Sequence, residues 1–149
     1  MGIQKLVLLD TNILIYAANR ASPFNNKAKA LREKAEKGEL KVCVSVQNLC
    51  EFYAVITDPK RLERPLLPQV AREEVKKYLE AGFISKVYLT EEALKTALEL
   101  GHKYNIQGQR FFDILLVGTM LNQGIPTIYT VNVNDFKDIK EIKVVNPFE

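Results

Sequence analysis

Three carboxylates in this chain stand alone on apolar segments. The stretch LVLLDTNILIYAAN, residues 6–19, holds one charged residue, Asp10. CVSVQNLCEFYAVIT, residues 43–57, holds one, Glu51, and FFDILLVGTMLNQGIPTIYTVNVN, residues 111–134, holds one, Asp113. The other acids mostly lie beside lysines, as they do through residues 26–41. An ionised carboxylate at the end of a buried strand costs several kcal/mol, roughly, unless something compensates it. Each acid also has an ordinary structural reading. Asp10 can cap the helix that follows it. Glu51 can sit on the exposed edge of its helix, and Asp113 in a first turn, where the helix dipole favours an acid. Three such acids on three different apolar elements favour one shared site.

Carboxylates gathered within a few Å repel one another and call for a cation between them. Oxygen ligands completed by water suit Mg²⁺ or Mn²⁺. Zinc lacks its usual ligands, because His102 is the only histidine and Cys43 and Cys50 have no zinc-ligand spacing. A hard divalent ion lowers the pKa of a bound water and screens phosphate charge, which is the chemistry of phosphodiester hydrolysis. A single histidine also rules out a His–His acid–base pair within the chain. The stretch TVNVNDF, residues 130–136, adds Thr130 and Asn132 on alternate positions at a strand end, with Asp135 placed to cap or to join the acids. The alternative is a turn in which Asn132, Asn134 and Asp135 satisfy local backbone groups. Lys60, Arg61, Arg64 and Arg110 are candidate phosphate contacts, Arg110 the first choice because it adjoins the Asp113 segment.

The elements that must position these residues alternate strand and helix. Ile3–Leu9, Lys41–Ser45, Ser85–Leu89, Thr127–Thr130 and Ile142–Val145 read as strands. Asn12–Ala18, Asn25–Lys37, Val46–Thr57, Gln69–Ala81, Thr90–Tyr104 and Phe111–Asn122 read as helices. Ser45 and Thr90 are placed as N-caps, and Gly38 and Gly124 as stops. Residues 58–68, with three prolines, form the one clear loop. This alternation predicts an α/β fold with a mostly parallel sheet of about five strands between helices, as one domain over residues 1–149. Ligands of such sheets sit outside the carboxyl ends of the strands, where Asp10 and Asn132 fall.

Composition agrees with an ordinary globular protein: 149 residues, 47% hydrophobic, 26% charged and a net charge of +3. Both cysteines lie among apolar residues and are expected in the core, without a disulfide framework. Asp10 interrupts the N-terminal apolar run, so it does not read as a signal peptide, and no apolar stretch is long enough to span a bilayer. A cytoplasmic protein is expected.

The motifs LLDTNILI, SVQNLCEFYAV, FFDILLVGTM and YTVNVNDF, in that order, resemble the PIN domain family, in particular the small VapC-type toxins of toxin–antitoxin pairs. The resemblance implies a three-layer α/β/α fold and metal-dependent endonucleolytic cleavage of RNA with Mg²⁺ or Mn²⁺. It also implies a homodimer and a small antitoxin partner. By position it implies Asp10 and Asp113 as the main metal ligands and Glu51 as a third acid. Thr11, Asn12 and Thr130 would support them by hydrogen bonding. Asn132 stands where the family often has a fourth acid; its carbonyl oxygen remains a donor but lacks the charge, and Asp135 can restore some of it. Two other classes compete. A non-catalytic RNA- or protein-binding module would gain nothing from three repelling acids. A Mg²⁺-dependent phosphatase would show a second Asp two residues after Asp10, where Asn12 stands, and a phosphoacceptor domain would want an acidic pair early and a matched Lys late.

Overall fold

A computed structural model describes residues 5–149. Five short strands form one sheet: β1 (Val7–Leu9), β2 (Val42–Ser45), β3 (Ile84–Val87), β4 (Thr127–Tyr129) and β5 (Lys143–Val145). All four pairings are parallel and the order is β3-β2-β1-β4-β5. The chain builds outward from β1 in one direction through β3, then returns to the other side of β1 for β4. The switch in strand order therefore lies between β1 and β4, where a crevice opens at the carboxyl edge.

Alternation along the strands sends side chains to two cores, as expected when helices cover both faces. Leu8, Cys43, Val87 and Ile128 pack against α5 (Glu91–Lys103) and α6 (Phe111–Gln123) through Ala97, Leu100, Ile114 and Val117. Leu9, Val42, Val44 and Ile84 pack on the other side with Leu14, Ala35, Phe52, Ile56, Ala71 and Tyr78. These last residues come from α1 (Thr11–Ala18), α2 (Asn25–Glu36), α3 (Val46–Ile56) and α4 (Pro68–Glu80). The result is the three-layer α/β/α sandwich that the alternation predicts.

Local chemistry sets the boundaries. The Ser45 side chain accepts from Asn48 N and starts α3, and Thr90 accepts from Ala93 N and starts α5. Gly124, at φ +70°, closes α6 in the left-handed conformation. The predicted helices match to within a residue or two. The first and third strands are shorter than expected: Ile3 and Gln4 lie outside the described residues, Lys5 and Leu6 precede β1, and Tyr88 and Leu89 are exposed beyond β3. Cys43 is buried, but Cys50 is exposed, contrary to expectation. On α3 the buried positions are Asn48, Leu49, Phe52 and Ile56, and Cys50 points away from that face beside Glu51.

Candidate active site

Asp10 is the single residue between β1 and α1. Its N–H donates to Tyr129 O, 3.0 Å, carrying the β1–β4 pairing one step beyond the strand. Its carboxylate both caps α1 and lines the crevice. Oδ1 accepts from Thr11 N, 2.8 Å; Oδ2 accepts from Thr130 Oγ1, 2.8 Å, and from Asn12 Nδ2, 3.2 Å. Asn12 Nδ2 also donates to Thr130 Oγ1, 3.0 Å, and its Oδ1 accepts from Val131 N, 3.2 Å. Asn132 N donates to Thr130 Oγ1, 3.0 Å. Thr130 is fully buried, so this lattice stitches the end of β1 to the end of β4 from behind the cleft.

The cleft has a volume of about 370 Å³. Its acids are Asp10, Glu51, Asp113 and Asp135; Asn132 and Arg61 also line it, and Ile15, Ala54 and Val55 form an apolar wall. Glu51 belongs to an exposed residue of α3, as its ordinary reading suggests, but the exposed side opens into the cleft. Its Oε2 accepts from Thr11 Oγ1, 2.9 Å. Asp113 enters from the first turn of α6 and Asp135 from the short 3₁₀ turn Val133–Asp135.

The electrostatics record the gathering of acids. Burial pushes the Asp113 carboxyl up to about 6, and the carboxylates of Asp135, Asp10 and Glu51 push in the same direction, with Arg110 opposing them. Burial also raises the Asp10 carboxyl, against the hydrogen bonds from Thr130, Thr11 and Asn12. At both groups burial is the largest cause, and the neighbouring carboxylates add to it.

Among the described residues, no three His, Cys, Asp or Glu side chains form a ready-made ligand cage. The donor set nonetheless fits a hard divalent cation. The cleft offers carboxylate and amide oxygens without nitrogen or sulfur ligands, and Mg²⁺ commonly binds through one or two carboxylates while keeping several waters.

All the acids singled out from sequence reach this cleft, with Thr11, Asn12 and Asn132. Thr130 lies behind it. Arg110 does not line the cleft and acts on Asp113 from its flank. The lining cation is Arg61. A residue that the sequence reading passed over is Asn48, buried on α3, whose Nδ2 donates to Thr11 Oγ1, 2.7 Å. A polar amide three residues before Glu51 on an otherwise apolar helix face was the available signal.

Fold and site define an α/β domain with an acidic, oxygen-lined cleft at the switch point of a parallel sheet. The chain belongs to the PIN domain family, whose family model matches residues 7–142. It is 31% identical over 145 residues to ribonuclease VapC24 of Mycobacterium tuberculosis, spanning 95% of this chain and 97% of that protein. Ribonuclease VapC48 of the same organism is 29% identical over 139 residues, spanning 93% and 95%. Among solved structures, the chain is similar to Mycobacterium tuberculosis VapC20, a Sarcin-Ricin loop cleaving toxin. That match has a TM-score of 0.67 at 15% identity and covers 89% of this chain and 95% of VapC20. It is also similar to VapBC2 from Rickettsia felis bound to a promoter DNA fragment, with a TM-score of 0.67, 18% identity and coverage of 94% and 97%. These structural likenesses, at such identities, bear on the fold.

Proposed function

We propose that this chain is a divalent-metal-dependent endoribonuclease and the toxin of a VapBC-type toxin–antitoxin pair. One observation carries the chemistry: four carboxylates, from β1's end, α3, α6 and the turn after β4, line one cleft. The full-length similarity to ribonucleases of the VapC type supports RNA as the substrate.

Asp10 and Asp113 would hold Mg²⁺ or Mn²⁺, with Glu51 as third acid and the Asn132 carbonyl as a neutral donor. When bound, the cation supplies charge neutralisation for the phosphodiester and a more acidic water. The protein's part is positioning and proton handling. Thr11, Asn12 and Thr130 fix both oxygens of Asp10. Glu51, steadied through Oε2 by Thr11, is placed to accept the proton of the attacking water. Arg61, across the cleft, pairs with a substrate phosphate, with Arg110 as a more distant contact. Asp135 adds the charge that Asn132 lacks.

The structural relatives that are toxin–antitoxin complexes support a small antitoxin as partner. A homodimer is supported by exposed apolar side chains on the α5–α6 layer: Leu94, Leu98 and Phe112. Action in the cytoplasm, beside its RNA substrate, is part of this proposal; among the described residues no helix is long and apolar enough to cross a membrane. The test is incubation of purified, antitoxin-free protein with total RNA in Mg²⁺, Mn²⁺ or EDTA, beside Asp10→Asn. Discrete cuts that need metal and disappear in the variant are expected. Intact RNA in every lane would overturn the assignment in favour of a binding module.

A further inference from the structure

Behind Glu51 runs a chain of hydrogen bonds with a defined direction. Ser45 Oγ donates to Asn48 Oδ1, 2.9 Å; Asn48 Nδ2 donates to Thr11 Oγ1, 2.7 Å; Thr11 Oγ1 donates to Glu51 Oε2, 2.9 Å. Ser45 Oγ in turn accepts from Asn48 N, 2.9 Å, as the helix cap. A hydroxyl has a single proton. The Thr11 proton must lie toward Glu51, because two acceptor oxygens 2.9 Å apart with nothing between them repel. Thr11 then has only lone pairs to offer Asn48, which fixes the amide with its NH₂ toward Thr11 and its carbonyl toward Ser45. Ser45, Asn48 and Thr11 are all buried, so water does not compete for these bonds.

We propose that Asn48 is a positioning residue for the nuclease reaction: by donating to Thr11 it commits the Thr11 hydroxyl proton to Glu51 and fixes that carboxylate's orientation in the cleft. The inference rests on Glu51 acting in that cleft. Elements distant in sequence must cooperate to build the relay, since Asn48 and Ser45 come with β2 and α3 while Thr11 opens α1 after β1. A donor is specifically required at position 48. The isosteric Asn48→Asp substitution puts acceptors there, draws the Thr11 proton away, and turns a Thr11 lone pair toward Glu51.

Four variants test this: Asn48→Asp, Asn48→Ala, Thr11→Val and the Asn48→Ala/Thr11→Val double, with Glu51→Gln as control and circular dichroism as the check of folding. If residue 48 acts through Thr11, Asn48→Asp lowers kcat by about 10–100-fold, the usual range for a supporting hydrogen-bond partner, with KM within about twofold. The double variant then loses no more than Thr11→Val alone. Independently of activity, the Asn48 side-chain NH₂ protons, identified in ¹⁵N spectra by their absence in Asn48→Asp, lose protection from exchange in Thr11→Val. Asn48→Asp at wild-type kcat beside an inactive Glu51→Gln overturns the inference while leaving the nuclease assignment standing. So do losses that multiply in the double variant, which remains decisive if Asn48→Asp does not fold. A fully active Glu51→Gln removes the role of Glu51 and the relay with it.

Discussion

Replacing Asp113 by Asn is expected to stabilise the metal-free protein while it abolishes cleavage. Burial, then the carboxylates of Asp135, Asp10 and Glu51, raise the Asp113 carboxyl from its ordinary 3.8 to about 6. The sign follows from linkage. Below the unfolded value both states hold the proton and the site costs nothing. Between there and about 6 the unfolded chain ionises while the folded one resists, so a penalty on folding accumulates and then levels off above about 6. A rise of about two units corresponds to about 3 kcal/mol at most. Asp113 is only partly buried, so solvent screening reduces this to about 1–2 kcal/mol. Asn carries no such penalty. For a domain of this size that amounts to a gain in Tm of about 2–8 °C at pH 7.5, shrinking toward zero near pH 4.

The assay is thermal unfolding in EDTA at several pH values between 4 and 8, comparing the native chain with Asp113→Asn. Saturating Mn²⁺ then acts as the counter-test: a ligand at about 100 times its Kd adds about 2.7 kcal/mol to the state that binds it. The native chain gains that increment and the variant does not, so their order of stability narrows or inverts. A Tm difference that is the same at pH 4 and pH 7.5, or an Asp113→Asn protein less stable than the native chain in EDTA at pH 7.5, would refute the reasoning.

Thr130→Val removes a donor from Asp10 Oδ2 and an acceptor from Asn132 N; a loss of about 10–100-fold in single-turnover rate is expected, with RNA binding retained. Arg61→Ala is expected to weaken RNA binding and to flatten the log Kd against log salt plot by about 0.7, the value of one phosphate contact on a single strand, with a smaller change for Arg110→Ala. Filter binding across a salt series with Asp10→Asn as background measures both. Gly118→Ala drives a Cβ into the Ala93 carbonyl oxygen and against Ala97, where α5 meets α6. Destabilisation of at least about 1–3 kcal/mol is expected in urea melts, because neither contact is the flexible end of a side chain.

The elements were legible because their signals are local. Ser45 and Thr90 announce helices by side-chain capping, Gly124 ends one by its positive φ, and the uninterrupted apolar run before Asp10 marks a strand covered on both faces. The gathering of Asp10, Glu51 and Asp113 was legible for a different reason: unpaired acids on buried elements need a common explanation. Residues whose places depend on tertiary packing were legible only as candidates, like Arg61 among four cations, or not at all. Arg61 reaches the cleft because buried Leu62 pins the loop after α3 and Leu66 N bonds Ile56 O, 2.7 Å, neither of which a proline-rich segment advertises. Arg110, adjacent in sequence to the Asp113 helix, stays at its flank. Asn48 was hidden because its partners arrive from β1's end and from its own cap. Cys50 was misplaced because an apolar neighbourhood in sequence does not say which way a helical side chain points.

The two acids assigned to the metal differ in a way that bears on how they would share it. A carboxylate has about four lone-pair sites. Asp10 has committed three of them, to Thr11 N, Thr130 Oγ1 and Asn12 Nδ2, so it can offer a cation little more than one, in a direction fixed by the β1–β4 junction. Asp113 accepts no hydrogen bond among the described residues, and it is the carboxyl that burial and its neighbours push up to about 6. Its charge is offset only by Arg110 at its flank. If both hold the cation, Asp10 would supply geometry that is set before any ligand arrives, while Asp113, held by no hydrogen bond among the described residues, would supply charge for the cation to neutralise. Fixing both acids by hydrogen bonds would ease the repulsion and leave less charge to neutralise. Fixing neither would leave the cation without a defined position. The division follows from where the chain puts them: a strand end beside a second strand is rich in donors, and the first turn of an apolar helix supplies none that reach the Asp113 side chain.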